Sequence, residues 1–243
     1  MCCGGGDSVA DKQWAHELRA FASIQPRQSL ADRAADTLRE FILLGKLAPG
    51  VAVPERELAD ALGISRTPLK EALRILSNEG LIVYSATRRP SVADPSVDEL
   101  AQNLAVLGEL EALGGKLACD NARSDEIAEA TRLEEMMRTA PAGTDPLEFF
   151  GWDMDFHQTI VAAARNTPLL ETHRAYNARL WRARFISSKT RTARDRTLSQ
   201  HADILTALQA RDGDRCAEHM RSHLKSAITN IEDAQNKLMA EET

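Results

Sequence analysis

Four residues in the C-terminal half are of the types that bind divalent metals. Asp153 and His157 are four residues apart, which places both side chains on one face of a helix. His201 and His223 lie in two later segments with helical patterning. Three imidazoles and one carboxylate from three helices would suit Zn²⁺, Ni²⁺, Mn²⁺ or Fe²⁺. The alternative is that these histidines are polar surface residues, because the chain has six histidines and spacing alone cannot bring the helices together.

Two nearby residues could be mistaken for members of this set. His219 lies one turn before His223 and is the rival ligand, unless its side chain simply faces solvent. Asp155 lies only two residues after Asp153, so it projects from a different side of the same helix. We therefore expect Asp155 to take no part in a metal site.

The segment 167–187 carries three arginines, Arg179, Arg182 and Arg184. A guanidinium turned toward the interior could bind the carboxylate of an organic acid through two parallel hydrogen bonds. The alternative is a solvated basic face, which is the more common reason for such a cluster. Weaker candidates for the same effector-binding role are Asn177 and Tyr176.

A second group of side chains is basic and lies nearer the N-terminus. Arg66, Lys70 and Arg74 recur at four-residue intervals, on a different helix face from an apolar stripe that includes Leu69 and Leu73. A helix in the major groove needs this division, with one face on the core and one presenting cations. Arg66 is the best candidate for a base contact, because a guanidinium reads guanine O6 and N7 with two hydrogen bonds.

Further DNA contacts are expected around this helix. Ser65 and Thr67 stand at its start, where a hydroxyl can cap backbone N–H groups or contact a phosphate. Arg56 opens the preceding helix and suits a phosphate or a base. Arg88 and Arg89 fall at the tip of a short hairpin and could enter the minor groove or bind its phosphates.

The overall charge argues against nucleic acid until it is divided by region. The net charge is −6 and the pI about 5.6, whereas nucleic-acid-binding domains often exceed a pI of about 9. Residues 27–94, however, carry ten basic and nine acidic side chains, and residues 95–243 carry 18 basic and 24 acidic. The acidity therefore belongs to the C-terminal part. It should repel DNA and confine contact to the basic helix face and the hairpin.

The elements that must position these residues are mainly helical, in keeping with an aromatic content of only 5%. Residues 30–44, 55–62 and 65–80 are predicted helices, and 81–93 has the outline of a hairpin. From residue 97 onward the pattern predicts only long amphipathic helices. Their predicted spans are 97–121, 124–139, 146–164, 167–187, 193–211 and 213–240.

These spans predict a tail at 1–26, a winged helix-turn-helix of three helices and a β-hairpin at 27–94, and an all-α bundle of about six helices at 95–243. No apolar run is long enough to span a membrane, and the N-terminus is not a secretory signal, so we expect a cytoplasmic protein. The four cysteines contain no CxxC pair, which indicates neither a zinc ribbon nor a disulfide framework.

Residues 54–76, PERELADALGISRTPLKEALRIL, together with Glu79-Gly80-Leu81-Ile82, closely resemble the winged-helix domain of GntR-type bacterial regulators. The resemblance covers about residues 28–94. It implies DNA contacts in the hairpin wing and at Arg56, Ser65, Arg66, Thr67 and Lys70. Lys70 stands where this family most often has Arg, and Arg89 stands where the wing tip often has Gly.

Residues 98–235 resemble the all-helical FCD effector-binding domain of the FadR-like subgroup of GntR regulators. The matching motifs are Asp153-x-x-x-His157, His201-x-x-Ile204 with Ala207-Leu208 and Arg211-Asp212 behind it, and Met220-x-x-His223. In metal-binding members these positions supply the ligands. The resemblance therefore implies that Asp153, His157, His201 and His223 bind a divalent metal and that a carboxylate effector completes its coordination.

We therefore expect a ligand-responsive regulator that binds a palindromic DNA operator as a homodimer, with no membrane partner, and most commonly as a repressor. Two alternatives belong to other classes. One is a metal-dependent enzyme fused to a DNA-binding domain, although the chain has no HExxH general base and no nucleophile elbow. The other is a constitutive DNA-binding protein in which the metal is only structural.

Overall fold

The structure is a computed structural model that describes residues 29–188 and 191–241. The tail predicted at 1–26, which includes Cys2 and Cys3, lies outside the described residues. The N-terminal unit consists of α1 (Leu30–Leu43), α2 (Glu55–Leu62), α3 (Arg66–Asn78), β1 (Ile82–Tyr84) and β2 (Pro90–Val92). This is the winged helix-turn-helix that the sequence predicts.

Local sequence signals set the bounds of these first elements. Ser29 caps α1 in a reciprocal capping box with Asp32, which satisfies the free N–H groups of the first turn. The turn between α2 and α3 is made by Gly63, whose φ of +64° lies in the left-handed region that favours glycine. The core beneath the helices is formed by buried aliphatic side chains, among them Leu38, Ile42, Leu69, Leu73, Leu76 and Ile82.

The wing is a two-stranded antiparallel hairpin in which Ile82 pairs with Val92 and Tyr84 with Pro90. Ser85 and Arg89 close its tip, since the Ser85 N–H donates to the Arg89 carbonyl oxygen at 3.0 Å. Within the tip Arg88 has a φ of +58°, an uncommon conformation for a residue with a Cβ. The tip therefore carries an arginine at a position whose backbone favours glycine.

The C-terminal part is helical throughout, and the described residues after Val92 contain no strand. The helices are α4 (Val97–Asn121), α5 (Ser124–Arg138), α6 (Pro146–Ala163), α7 (Thr167–Ser188), α8 (Arg191–Gln209) and α9 (Gly213–Glu241). Their number agrees with the predicted bundle of about six helices. The largest difference is that α8 begins and ends two residues earlier than predicted. None of the described helices is both long and apolar enough to cross a membrane.

Helix α4 packs against α6, α7, α8 and α9 on its inner side and has exposed residues on its outer side. Two adjacent glycines allow this close approach. A Cβ at Gly114 would lie 2.9 Å from Cγ2 of Val161 on α6, and a Cβ at Gly115 would lie 2.9 Å from Sγ of Cys216 on α9. Because α4 contacts four other helices, a polar side chain on its inner face lies deep inside the bundle.

The two units meet along α7 and the start of α6. Leu43, the last residue of α1, packs in one buried cluster with Phe150, Met154 and Phe185. At the far end of α3, Gly80 has a φ of +72°, and a Cβ there would lie 3.3 Å from Cα of Arg179 on α7. The winged unit therefore rests directly on the helical domain.

Candidate metal centre and nucleic-acid interface

The four predicted metal ligands come together from three helices. Asp153 and His157 lie one turn apart on α6, His201 lies in the middle of α8, and His223 lies on α9. One potential ligand atom from each residue lies within 4.8 Å of those of the other three, and all four residues are buried. The rival, His219, is half-buried and outside this group.

The contacts within the group are close but leave ligand atoms without partners. Nε2 of His201 lies 3.3 Å from Oδ1 of Asp153, and Nε2 of His157 lies 3.9 Å from the same oxygen. The ring centroids of His157 and His223 are 4.8 Å apart, and those of His201 and His223 are 4.9 Å apart. His157 and His201 therefore approach the same oxygen of Asp153, with the ring of His223 beside both, and neither approach is a hydrogen bond.

Unsatisfied buried atoms test whether this group fits a metal. Oδ1 of Asp153, Nε2 of His157 and Nε2 of His201 are all buried, and none has a hydrogen-bond partner in the described structure. Buried polar atoms nearly always have partners, so several unsatisfied acceptors around one point need an explanation. Nitrogen and oxygen donors of this kind fit a divalent transition metal or zinc.

The charge states of the group also suit a cation. Burial lowers the pKa of His201 and of His223 well below the ordinary value, and the neighbouring His157 and Arg184 lower both further. Both rings are therefore neutral at neutral pH and retain a lone pair for coordination. Burial raises the pKa of Asp153, and the charges of His157 and Arg184 offset this effect only in part. A bound cation would supply further counter-charge.

Glu111 on α4 is a member of the site that the sequence analysis did not identify. Its side chain is fully buried, and its Oε2 lies 2.8 Å from Nδ1 of His157, although the pair is not aligned as a hydrogen bond. Burial opposes ionisation of Glu111, but His157, His173 and Arg184 together outweigh burial and hold its pKa well below the ordinary value. Glu111 is thus an anion placed behind a predicted ligand.

The remaining neighbours orient this carboxylate and the ligands. His173 on α7 lies 3.3 Å from Oε1 of Glu111. On α9, Nδ1 of His223 lies 3.1 Å from Oε1 of Gln200, whose amide nitrogen donates to Oγ of Ser226 at 2.9 Å. The Gln200 oxygen can only accept, so Nδ1 of His223 carries the proton and its Nε2 is left for a metal.

Arg184 connects the metal group to the effector prediction. It is buried, and it donates to Oδ1 of Asn177 at 2.7 Å. Its other guanidinium contacts are Glu111 at 3.6 Å and Asp153 at 3.7 Å. A small pocket of about 30 Å³ opens beside it, lined by Asp153, Arg184, Gln200 and His223 among others. Arg184 is therefore the predicted effector residue that faces the candidate metal centre, and Asn177 contacts it from the same helix.

The other predicted effector residues face elsewhere. Arg179 and Arg182 line a cleft between the winged unit and the helical domain. Tyr176 is half-buried, and the guanidinium of Arg179 lies over its ring at 5.3 Å. The three arginines of α7 therefore do not form one site.

The predicted DNA contacts lie together on the winged unit. Arg56, Ser65, Arg66, Thr67 and Lys70 are all exposed on α2, α3 and the turn between them. Ser65 makes no capping hydrogen bond with its side chain, so the structure gives no support to its capping role. Arg88 and Arg89 are exposed at the wing tip.

Arg74 differs from the other basic residues of α3. Its guanidinium forms an ion pair with Glu71 of the same helix at 2.6 Å, and both side chains are exposed. Part of its charge is therefore already balanced. This distinguishes Arg74 from Arg66, for which no such pair is seen among the described residues.

Comparison with known proteins agrees with this architecture. The model of the bacterial regulatory proteins of the gntR family matches residues 30–90, and the FCD domain model matches residues 102–226. A D-xylose utilization operon repressor of Paenarthrobacter nicotinovorans, described as probable, is 32% identical over 196 residues, which covers 78% of this chain and 84% of the relative. The Nta operon transcriptional regulator of Aminobacter aminovorans is 30% identical, with 75% and 85% covered.

Solved structures show the same fold. McbR/YncC of E. coli superposes with a TM-score of 0.72 at 22% identity, covering 84% of this chain and 98% of that protein. A GntR regulator from Rhodococcus sp. RHA1 gives a TM-score of 0.68 at 21% identity, with the same coverage. The chain belongs to the GntR family of bacterial regulatory proteins, as a transcriptional regulator that joins a winged helix-turn-helix to a ligand-binding FCD domain.

Proposed function

We propose that the protein is a repressor whose affinity for its operator is controlled by a small organic acid bound at a metal ion in the FCD domain. The observation that carries this proposal is the group Asp153, His157, His201 and His223, with its ligand atoms within 4.8 Å of one another and largely unpartnered. A metal bound there would offer a Lewis-acidic position to a carboxylate.

The effector in this proposal lies against Arg184 and Asn177. Arg184 is a buried guanidinium close to two carboxylates, so it balances part of their charge and could also bind a carboxylate ligand. Asn177 holds it in place through the 2.7 Å hydrogen bond. Because the adjacent pocket has only about 30 Å³, an organic acid must widen it on entry.

Helix α7 is the element that can transmit this widening. It carries Asn177 and Arg184 on the side of the metal group, and its Phe185 packs against Leu43 of the winged unit. A shift of α7 would therefore move the surface that contacts the winged unit. A coupling of about 1–3 kcal/mol between effector and DNA would change operator affinity several-fold to a hundred-fold.

We assign DNA binding to residues 27–94 and effector sensing to residues 95–243, in support of which the two family models match within these bounds. Within the first unit, we infer base contact by Arg66 and backbone contacts by the surrounding cations and hydroxyls. The full proposed set of DNA contacts is Arg56, Ser65, Arg66, Thr67, Lys70, Arg74, Arg88 and Arg89.

We further infer that the protein acts as a homodimer on a palindromic operator. In support, helix α4 carries an outer stripe of apolar residues, in which Val106 is 41% and Leu113 is 45% exposed. Leu110 and Leu117 lie beside them and are half-buried against Val161 and Leu169. Apolar residues at this helical spacing on a surface are typical of a subunit interface. A two-fold axis through the stripe would pair it with its own copy.

The test combines metal analysis with a ligand screen. The purified protein should hold about one Zn²⁺, Ni²⁺, Mn²⁺ or Fe²⁺ per chain, and His157→Ala and His201→Ala should lose it, whereas His219→Ala, in the half-exposed rival, should keep it. In a thermal-shift screen of small organic acids, a stabilising acid should lose its effect in the presence of a chelator and should release operator DNA. Metal retained at full stoichiometry in both site variants would refute the ligand set, and no responsive acid would refute the sensor.

A further inference from the structure

A cleft distinct from the candidate metal centre lies at the junction of the winged unit and the helical domain. Its volume is about 330 Å³, within the range of small-molecule sites in proteins. The metal-side pocket, at about 30 Å³, is far smaller. A preformed space large enough for a small molecule therefore lies at this junction, whereas the pocket beside the metal ligands is too small.

The walls of this cleft are apolar and come from fixed elements. Ile42, Leu81, Leu100 and Ile231 are each less than 5% exposed and are held by the cores of the two units. The wall on α7 is completed by Ala183 and Ile186. An aliphatic ligand could bury its surface here without the walls having to fold around it.

The polar groups of the cleft are predominantly cationic. Nε of Arg182 is buried and has no hydrogen-bond partner among the described residues. Burial lowers the pKa of Arg182, and the charge of Asp94 across the cleft opposes that effect only in part. Arg179 lies beside it and is exposed. Two guanidiniums and one carboxylate leave a positive charge at an otherwise apolar space.

The cleft and the metal centre use opposite sides of α7. Arg182 and Arg184 are two residues apart, which rotates them by about 200° around a helix. Arg184 contacts Glu111 and Asp153 in the bundle interior, whereas Arg182 lines the cleft. A molecule in the cleft would therefore not touch the metal ligands.

We propose that this cleft is a second ligand site, which takes a small organic anion with an aliphatic body. Arg182, assisted by Arg179, binds the carboxylate, and the wall around Ile186 and Leu100 covers the aliphatic part. A planar guanidinium with unused donors matches a carboxylate with two parallel hydrogen bonds. The site is independent of the metal and of the effector proposed for it.

Octanoate tests this proposal on the full chain after removal of metal with a chelator. Calorimetric titration should give saturable binding of one octanoate per chain, whereas octylamine and octanol should bind at least about tenfold more weakly. Arg182→Gln should weaken octanoate binding by about ten- to a hundredfold, because it removes hydrogen bonds to a charged group. Ile186→Trp should abolish binding by filling the cleft. Arg174→Gln, an exposed arginine of the same helix, is the matched control and should bind as the unmodified protein does.

Three results would overturn the proposal: no saturable binding of octanoate to the unmodified protein, equal binding of octylamine, or octanoate affinity unchanged in Arg182→Gln. Because Ile186 packs near the domain junction, Ile186→Trp counts only if its helical circular dichroism and its metal content match the unmodified protein. Arg182→Gln changes only a half-buried side chain. If Ile186→Trp fails to fold, the octanoate affinity of Arg182→Gln alone tests the proposal.

Discussion

Nδ1 of His157 lies 2.8 Å from Oε2 of Glu111, and neither side chain is accessible to solvent. The two residues belong to α6 and α4, so the contact joins a predicted ligand to a buried position of a second helix. A carboxylate behind a coordinating imidazole can fix the orientation of the ring. We therefore infer that Glu111 positions His157, although Glu111 is outside the predicted ligand set.

We expect Glu111→Gln to lower metal affinity by about 10–100-fold, because the amide keeps the shape of the side chain but removes its charge. Competition with a chromophoric chelator measures this affinity. Glu109→Gln is the control, since Glu109 lies on the same helix and pairs only with exposed Arg221 in the described structure. Equal affinities for the two variants would show that Glu111 has no role at the metal.

Two arginines on α3 should respond differently to substitution. We expect Arg66→Ala to cost about 1–3 kcal/mol on the operator and to relax the preference for one base pair. Arg74→Ala should cost less and should weaken binding to all sequences equally, because Glu71 already balances Arg74. Fluorescence anisotropy with operator and scrambled duplexes at fixed salt measures both. A uniform loss for Arg66→Ala would mean that this residue contacts only phosphate.

The metal-free protein should lose stability as the pH falls. His201 and His223 have pKa values well below 6.5 in the folded state, so below pH 6.5 the unfolded chain binds protons that the folded chain does not. The free energy of unfolding should then fall with decreasing pH by up to about 1.4 kcal/mol per pH unit for each histidine. Burial raises the pKa of Asp153, which acts in the opposite sense, but one carboxylate opposes two imidazoles.

Urea unfolding in the presence of a chelator, from about pH 7.5 to about pH 5.5, measures this dependence. The double variant His201→Asn/His223→Asn should show a shallower slope over the same range. A slope as steep in the double variant as in the unmodified protein would place the titrating groups elsewhere.

The outer stripe of α4 should control assembly. We expect Leu113→Glu to convert the proposed homodimer into a monomer, because a buried carboxylate facing its own copy is both desolvated and repelled. Val83→Glu is the matched control, since Val83 is equally exposed but lies on the wing. Sedimentation velocity distinguishes the two. A Leu113→Glu protein with an unchanged sedimentation coefficient would exclude this stripe as the interface.

Two glycines with the same backbone conformation allow the energetic cost of backbone strain to be distinguished from the cost of overpacking. Gly45 and Gly80 have φ values of +73° and +72°, but a Cβ at Gly45 would meet nothing within 4 Å, whereas one at Gly80 would lie 2.6 Å from Cγ of Arg179. Gly45→Ala should cost about 1–2 kcal/mol for its backbone alone. Gly80→Ala should cost about 1–3 kcal/mol more, because it also overpacks the junction.

Thermal or urea unfolding measures both variants. The difference between them reports how firmly the winged unit rests on α7. If the two substitutions cost the same, the contact between Gly80 and Arg179 does not contribute to stability.

Much of the fold follows from local patterns. The helices are predicted to within about two residues at their ends because glycines, prolines and capping side chains mark those ends, as Ser29 and Gly63 do. The metal group also follows from the sequence, since Asp153 and His157 share a helix face. Bringing His201 and His223 to that face depended on the family resemblance, because packing between helices is not encoded in spacing.

The positions of the remaining site residues depend on which face of each helix is directed toward the interior. Glu111 is a charged residue at a buried position of α4, in step with Leu104 and Leu107, and that conflict was a signal in the sequence. The arginines of α7 carried a signal too, because two residues two positions apart cannot share a helix face. Which of them faces the metal is decided by tertiary packing alone.

The pocket beside Arg184 has room for little more than ordered water. An effector must therefore create the space that it occupies, so the size of the effector would determine how far α7 moves. Two acids with the same carboxylate but different tails would compete for one metal and yet have opposite effects on operator binding. The larger acid would displace α7 and release the operator. The smaller acid would occupy the site without displacing α7, and the repressor would stay bound to the operator.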